Sequence, residues 1–147
     1  IVSVSVLHDI GKILIRDSVL LKPGKLTSEE KEYVRSHTLR GFEIADSITE
    51  AWGKEYQQCC REITRSHHER YDGKGYPYNL SGKDIPFLAR ICAIADTFDG
   101  ITSWKPYKTV QTGREKATEI IISERGRQFD PFITDVFAKI IPELPEV

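Results

Sequence analysis

Residues 67–77 read His-His-Glu-Arg-Tyr-Asp-Gly-Lys-Gly-Tyr-Pro and hold two of the four histidines in this 147-residue chain. Adjacent histidines on a helix point about 100° apart, so both reach one site only where the helix end faces a cavity that holds metal ions. The two glycines let the backbone turn sharply and approach another group closely, and Pro77 sets the direction of the exit. The alternative is a helix that ends in a polar loop with solvated histidines, and the rest of the chain distinguishes the two.

Composition and charge are those of an ordinary globular domain. Lysine and arginine number 21 against 22 acidic residues, so the net charge of −1 disfavours nucleic-acid binding by bulk electrostatics. A local basic patch could still bind a small anionic substrate. No apolar run is long enough to span a membrane. Cys59, Cys60 and Cys92 match no zinc motif, and we interpret them as buried thiols of a cytoplasmic protein.

Helical signals run along the whole chain and predict an all-α fold. Apolar positions recur at intervals of three and four residues. Thr27 with Glu30 predicts a capping box at the second helix, and Asp130 predicts the cap of the last one. In chain order, helices are expected over about residues 1–10, 27–52, 54–68, 87–102, 112–123 and 130–141.

Three further features of the sequence concern helix ends and burial. The run Thr112-Gly113-Arg114-Glu115 predicts a second capping box. Gly11 is interpreted as the C-terminal glycine of the first helix, and residues 13–26 as a basic loop. The nearly all-apolar helix at 87–102 is expected to be buried on all sides.

Six polar residues fall at positions expected to face inward, and they include every histidine of the chain. A single buried histidine most often satisfies backbone groups, but four of them beside two carboxylates would require several coincidences. A lone buried carboxylate is costly, so it must be paired or bind a metal. The six are His8, Asp9, His37, His67, His68 and Asp96.

This set of imidazole and carboxylate groups suits iron, manganese, cobalt or zinc, and the cysteine positions exclude a thiolate site. Six candidate ligands are too many for one tetrahedral ion, so we expect two ions, with Asp9 able to bridge them. Two-metal sites serve in-line displacement at phosphorus. Lys12 lies one helical turn from His8 and could reach a phosphate oxygen, although a solvated lysine is the commoner role. Asp99, one turn after Asp96, is expected to hold a ligand histidine or to cap the next loop.

The motifs in this order resemble the HD-GYP family, a branch of the HD-domain metal-dependent phosphohydrolases. The resemblance covers nearly the whole chain. It implies a helical HD-domain bundle around a centre of two or three metal ions, usually iron or manganese. It also implies hydrolysis of the bacterial second messenger cyclic di-GMP to the linear dinucleotide and then to GMP. The matching motifs are His8-Asp9-Ile10-Gly11-Lys12, His37, His67-His68-Glu69, Asp72-Gly73-x-Gly75-Tyr76-Pro77, Ala95-Asp96-x-Phe98-Asp99 and Phe129-Asp130-Pro131.

The resemblance also implies roles for individual residues. The six polar residues above occupy the family's ligand positions, and Asp9 and Lys12 are the catalytic candidates. Gly75 and Tyr76 lie where the family's GYP loop lines the substrate groove. We expect Lys105 and Lys108 to bind the phosphodiester. The family commonly has arginine at position 105, and lysine keeps the charge but loses the bidentate fork; Trp104 stands where an Asp is usual.

Domains of this family usually follow a sensor or receiver domain in bacterial signalling proteins. Such enzymes also draw a ligand histidine from further upstream, so we expect residues 1–147 to be an HD-GYP domain without its N-terminal helices. One ion should then lack a protein ligand, and the apolar surface left exposed could support a homodimer. The GYP loop could bind a protein partner. The alternatives are an HD hydrolase of another nucleotide or cyclic dinucleotide, and a non-catalytic nucleotide- or partner-binding module.

Overall fold

The structure is a computed structural model that describes residues 5–103 and 112–143. No β-strand occurs within these ranges, and the predicted all-α fold is confirmed. Short 3₁₀ helices lie at Ile10–Leu14, Glu50–Trp52, Gly82–Asp84 and Ile141–Glu143. The α-helices of the described ranges are Asp17–Leu20 (α1), Ser28–Arg35 (α2), His37–Thr49 (α3), Lys54–Ser66 (α4), Phe87–Thr102 (α5), Arg114–Ser123 (α6) and Pro131–Ile140 (α7).

Two of the three predicted helix caps are confirmed. The Thr27 side chain accepts a hydrogen bond from the Glu30 backbone, and the Glu30 carboxylate accepts one from the Thr27 backbone, which completes the capping box. Asp130 caps α7 by accepting from the two backbone N–H groups at 132 and 133. The box predicted at Thr112 is wrong, because α6 begins one residue too late for it. Gly113 is the cap residue there and makes no side-chain bond.

The helix predicted over residues 27–52 is divided. α2 and α3 are separated at Ser36, whose hydroxyl donates to the carbonyl oxygen of Tyr33 at 2.6 Å, and the segment ends in the 3₁₀ turn Glu50–Trp52. Serine side chains that bond back to the backbone in this way compete with regular helix hydrogen bonding. The loop predicted over residues 13–26 was also too simple, since it contains α1 and the end of the first 3₁₀ helix.

Gly11 does not end a helix, and this interpretation was wrong. It lies inside the 3₁₀ helix Ile10–Leu14 and packs against α3. A Cβ atom at Gly11 would lie 1.9 Å from the carbonyl oxygen of His37 and 2.5 Å from the backbone nitrogen of Gly41. The glycine is therefore needed for the close approach of two segments, and this contact brings Asp9 beside His37.

Two apolar clusters hold the helices together, and α5 contributes to both. Ala45, Cys60, Ile63 and Cys92 join α3, α4 and α5. The second cluster joins α5 to α6 and α7 and consists of Ala93, Ile94, Ile121, Phe129, Ile133, Phe137 and Ile141. The prediction that α5 is buried on all sides is wrong. Phe87 keeps 51% of its surface exposed, and Ala95 and Asp99 further along the helix are also exposed.

Candidate metal centre

Four separate segments bring the six predicted ligands together. His8 and Asp9 precede the first 3₁₀ helix, and His37 is the first residue of α3. His67 is the residue that follows α4, and His68 comes next, so both rings lie beyond the helix end and face the same space. Asp96 comes from the middle of α5. The site thus lies where two helix ends meet the side of a third helix.

The ligand atoms form an inner and an outer group. The inner group consists of Asp9, His37, His67 and His68, and one atom from each lies within 4.8 Å of the others. In it, Nε2 of His37 is 3.2 Å from Oδ1 of Asp9 and 3.5 Å from Nε2 of His67. His37 and His67 are each only 1% exposed.

The outer group consists of His8, Asp9 and Asp96. Nε2 of His8 lies 3.3 Å from Oδ2 of Asp9 and 3.4 Å from Oδ1 of Asp96. This group is more open, with side-chain exposures of 23% for His8 and 32% for Asp96. Asp9 therefore belongs to both groups and directs one carboxylate oxygen to each.

Backbone hydrogen bonds orient three of the imidazole rings. When Nδ1–H of a neutral imidazole donates to a carbonyl, Nε2 keeps a lone pair for another partner. These bonds satisfy backbone groups through Nδ1, as the alternative interpretation of buried histidines expects. They do not account for Nε2. The acceptors are the carbonyl oxygens of Ser5 for His8 (2.7 Å), Val34 for His37 (2.7 Å) and Ile63 for His67 (3.0 Å).

Two buried atoms at this site show that the residues fit a metal ion. Nε2 of His8 and Oδ1 of Asp9 have no hydrogen-bond partner among the described residues. Buried polar atoms are nearly always satisfied, so converging imidazole and carboxylate atoms without partners favour a cation. Nitrogen and oxygen donors of this kind suit first-row transition metals. The chain therefore has a histidine and aspartate cluster that could bind metal.

The pKa of one histidine in the outer group is raised, and the pKa of one histidine in the inner group is lowered. The carboxylates of Asp9 and then Asp96 raise the pKa of His8 to about 10. Burial, and next the neighbouring His67 and His37, lower the pKa of His68 to about 3. Burial alone would raise the pKa of Asp9, but the surrounding histidines and Lys12 hold it far below its usual range. In the metal-free protein at neutral pH, His68 is therefore neutral, whereas His8 carries a proton.

Lys12 reaches the site through Asp9. Its Nζ lies 2.5 Å from Oδ2 of Asp9, the oxygen directed to the outer group, and its side chain is 39% exposed. Because the ammonium is partly in solvent, a phosphate at the outer group would lie beside it. Its contact with a phosphate oxygen stays a prediction.

The GYP loop folds back over His68. The buried carboxylate of Glu69 accepts from the backbone N–H groups of Tyr78 at 2.7 Å and Leu80 at 3.0 Å. A Cβ atom at Gly75 would lie 2.3 Å from the Arg70 backbone nitrogen, so only glycine allows this packing. The Tyr76 ring then stacks on His68 with centroids 4.9 Å apart. Gly75 and Tyr76 both line the cavity beside the candidate ligands, and their role in a substrate groove stays a prediction.

Sequence reasoning missed two residues at this cavity. The sequence indicates Glu69 only as part of a motif, although its carboxylate anchors the loop. No motif of the sequence includes Arg35, although its guanidinium lies 4.9 Å from the centre of the Tyr76 ring. The position of Arg35 two residues before His37 was the only signal, and it does not show which side of the helix faces the site.

The other predicted positions are placed as follows. Lys105, Lys108 and Trp104 lie outside the described residues, so their predicted roles stay predictions. Asp99 is exposed, and its carboxylate accepts from the Ser103 hydroxyl at 2.8 Å, which matches the loop-capping alternative. The ligand roles of the six converging residues also stay predictions, although their convergence is observed.

The fold and the site define a helical protein with a histidine–aspartate centre. A family model described as "HD domain" matches residues 3–133. The chain therefore belongs to the HD domain family, and the resemblance drawn from its motifs is confirmed.

Curated relatives match across most of the chain. The cyclic di-GMP phosphodiesterase response regulator RpfG of Xanthomonas campestris pv. campestris (strain 8004) is 43% identical over 141 residues, 96% of this chain and 36% of the relative. The cyclic di-GMP phosphodiesterase of Thermotoga maritima is 42% identical over 141 residues, 96% of this chain and 37% of the relative. The 3'3'-cGAMP-specific phosphodiesterase 2 of Vibrio cholerae serotype O1 is 40% identical over 132 residues, 90% of this chain and 24% of the relative.

These relatives are much longer proteins, and the chain spans about a third of the length of the first two. Within residues 5–103 and 112–143, no helix is both long enough and apolar enough to cross a membrane.

Proposed function

We propose that this chain is a metal-dependent phosphodiesterase that hydrolyses cyclic di-GMP to the linear dinucleotide, to GMP, or to both. The observation that carries the proposal is Asp9, whose two oxygens serve two adjacent ligand groups beside a cavity. That arrangement suits a pair of cations acting on one phosphate. The relatives named as cyclic di-GMP phosphodiesterases support the choice of substrate.

We propose two divalent ions, iron or manganese, with a third as the alternative that the family resemblance allows. The inner group of Asp9, His37, His67 and His68 would hold one ion, and the outer group would hold the other. When bound, such ions supply Lewis-acid stabilisation of phosphoryl oxygens and a more acidic water. The inner group offers four protein ligands and the outer group three, so we expect tighter binding at the inner group.

The chain's own residues would orient and bind the substrate. Asp9 would fix the spacing between the two groups, and Lys12 would donate to a phosphate oxygen next to its own partner, Oδ2 of Asp9. Gly75 and Tyr76 would form one wall of the substrate groove. Lys105 and Lys108 remain proposed phosphodiester contacts.

A second candidate substrate is another cyclic dinucleotide, above all 3'3'-cGAMP. The specific observation is a relative of that named specificity at 40% identity over 132 residues. The two substrates differ in one base. The imidazole and carboxylate side chains of the two ligand groups suit metal ions and not bases, so they do not distinguish the two substrates. A non-catalytic signalling module is less well supported, because all six candidate ligands are in place.

The setting of the domain is also proposed. The greater length of the relatives supports an upstream sensor or receiver domain, and the response-regulator relative supports the receiver. A substrate that is a bacterial second messenger would place the enzyme in the cytoplasm, where thiols such as Cys59, Cys60 and Cys92 stay free. A homodimer and a protein partner at the GYP loop stay predictions.

Turnover after metal removal and reconstitution tests the proposal. The chelated protein is supplied with Mn²⁺ or Fe²⁺, and hydrolysis of cyclic di-GMP, 3'3'-cGAMP and bis(p-nitrophenyl) phosphate is measured. We expect metal-dependent cleavage of cyclic di-GMP. We expect His67→Ala to lose at least about 100-fold in activity, which exceeds the loss typical of residues that only hydrogen-bond to a metal ligand.

Lys116→Ala is the matched control, because within the described ranges the only ion pair of the Lys116 ammonium is an exposed one with Glu119. Circular dichroism reports whether each variant keeps its helices. Cleavage that is unaffected by chelation, or full activity and metal content in a folded His67→Ala variant, would contradict the proposal.

A further inference from the structure

Arg35 lines the cavity that lies beside the candidate metal ligands. It is the last residue of α2, and its side chain is 48% exposed. The cavity has a volume of about 190 Å³ and is lined by Arg35 together with His67, His68, Tyr76 and Asp96, among others. Arg35 therefore puts a positive charge at the end of α2 beside the groove that the GYP loop forms.

The guanidinium of Arg35 is held in position by an aromatic ring. It lies 4.9 Å from the centre of the Tyr76 ring, and the same ring stacks on His68 of the inner group. A cation–π contact of this kind orients a guanidinium plane without using its N–H groups. Arg35 is thus connected to the metal centre through a single side chain, yet it is not among the ligands of either group.

The donors of Arg35 are available to an anion. One Nη1–H donates to Glu32 at 2.6 Å, and Glu32 is 69% exposed. Exposed ion pairs of this type contribute little, so a phosphate could replace the carboxylate at small cost. Arginine has five N–H donors in a planar fork that matches phosphate oxygens. Among the described residues, the only hydrogen-bond partner of the Arg35 guanidinium is Glu32.

The neighbouring Arg70 provides a contrast within the same cavity. Its Nε, Nη1 and Nη2 atoms all donate to side chains of the protein, namely those of Asp72, Gln128 and Glu124. These bonds use Arg70 to tie the GYP loop to the segment between α6 and α7. Arg70 is therefore committed to the fold, whereas Arg35 is oriented and largely uncommitted.

The size of the cavity indicates what Arg35 binds. Pockets for small molecules typically measure about 300–1,000 Å³, so this cavity of about 190 Å³ holds only part of a cyclic dinucleotide. A cyclic dinucleotide carries two phosphodiester groups, and only one at a time can lie at the ligand groups. The other would lie outside the ligand groups, and Arg35 on the cavity wall offers donors for it.

We propose that Arg35 is a substrate-positioning residue that binds the phosphodiester not undergoing cleavage, with Tyr76 holding its guanidinium plane. The inference rests on the proposed function, since it assumes a substrate with two phosphates. In this role, Arg35 would favour the binding of cyclic dinucleotides over phosphodiesters that carry one phosphate. A purely structural role, in which Arg35 only steadies Tyr76, would affect all substrates alike.

The test compares two substrates in four proteins. KM and kcat are measured with cyclic di-GMP and with bis(p-nitrophenyl) phosphate, which has a single phosphate, for the wild type, Arg35→Ala, Arg35→Lys and Arg40→Ala. Arg40 is the matched control, because its guanidinium also lies over a tyrosine ring, that of Tyr33 at 5.2 Å, but does not line the cavity.

We expect Arg35→Ala to raise KM for cyclic di-GMP by about tenfold or more, the loss typical of a charge-assisted hydrogen bond, with kcat changed less than about twofold. KM for bis(p-nitrophenyl) phosphate should not change. KM of Arg35→Lys for cyclic di-GMP should lie between the values of the wild type and Arg35→Ala, because lysine keeps the charge and loses the planar fork of donors. Arg40→Ala should match the wild type.

Three results would overturn the inference. The first is an unchanged KM for cyclic di-GMP in Arg35→Ala. The second is an equal loss on both substrates, which would assign Arg35 to the support of Tyr76. The third is a wild type that cleaves bis(p-nitrophenyl) phosphate but no cyclic dinucleotide, and this result alone refutes the proposed function as well.

Discussion

The inner and outer ligand groups share Asp9 and differ in almost every other respect. The inner histidines His37 and His67 are buried, whereas His8 and Asp96 of the outer group are partly open to solvent. Burial lowers the pKa of His68 to about 3, while adjacent carboxylates raise that of His8 to about 10. The comparison teaches that one carboxylate can lie between a neutral histidine, His68, and a protonated one, His8, which would have to release its proton before it binds a cation.

The origin of this difference is the packing of the segments. The inner histidines come from the adjoining ends of α3 and α4, which pack closely against each other. The outer residues come from the segment before the first 3₁₀ helix and from the side of α5. Metal ligands must be deprotonated, so cation binding at the outer group should depend on pH more strongly than binding at the inner group.

The largest effect is expected from Asp9→Asn, which changes the residue that both groups share. An amide keeps one neutral carbonyl oxygen, and it lacks both the negative charge and the second oxygen of a carboxylate. Both groups should therefore lose affinity for Mn²⁺. Turnover should fall by more than about 100-fold, beyond the loss typical of residues behind a ligand. Bound metal per chain after dialysis is the measurement.

Asp46→Asn is the control for this change, because Asp46 pairs with Arg61 away from the site. Asp9→Asn protein that is folded and keeps one tightly bound Mn²⁺ would show that the two groups do not depend on the shared carboxylate.

The next effect concerns the pH dependence of folding in the metal-free protein. The native pKa of His68 is about 3, against 6.5 when unfolded, so the unfolded chain binds the extra proton and stability falls as the pH drops from 6.5 towards 3. The native pKa of His8 is about 10, so its contribution is complete below pH 6.5 and is lost as the pH rises towards 10. Each slope is at most about 1.4 kcal/mol per pH unit.

Urea unfolding of the chelated protein at several pH values measures these slopes. His8→Gln should flatten the alkaline side, and it should also reduce stability at strongly acidic pH, because His8 lowers the pKa of Asp96 and of Asp9. His68→Gln should leave the alkaline side unchanged and flatten the fall in stability that begins below pH 6.5. An alkaline slope that His8→Gln leaves unchanged, or that His68→Gln removes, would show that the opposite protonation of His8 and His68 is wrong.

The smallest effect is expected at Asp99, and Asp96 provides the comparison. Asp96→Asn should weaken metal binding at the outer group by about 10- to 100-fold and leave the inner group unchanged. Asp99→Asn should change neither by more than about twofold, because the Asp99 carboxylate bonds Ser103. Titration with Mn²⁺ separates the two, and equal losses in both variants would make Asp99 a ligand.

The sequence by itself determined the features that depend on local chemistry. The capping box at Thr27 and the Asp130 cap follow from side chains that bond backbone groups three residues away or fewer, so a short stretch suffices to predict them. The six candidate ligands could also be selected, because residue type and motif order indicate metal chemistry. Helix ends such as those at Ser36 and Gly113 were predicted less well, since an end also depends on what packs against it.

Only the tertiary structure decided how the ligands are divided. Sequence order places His8 next to Asp9 and far from Asp96, yet the outer group joins all three, and Asp9 faces His37 only because Gly11 lets two segments touch. The opposite pKa shifts of His8 and His68 and the position of Arg35 over Tyr76 depend on distances across the fold. Electrostatics and burial act through space, so the pattern along the chain does not contain them.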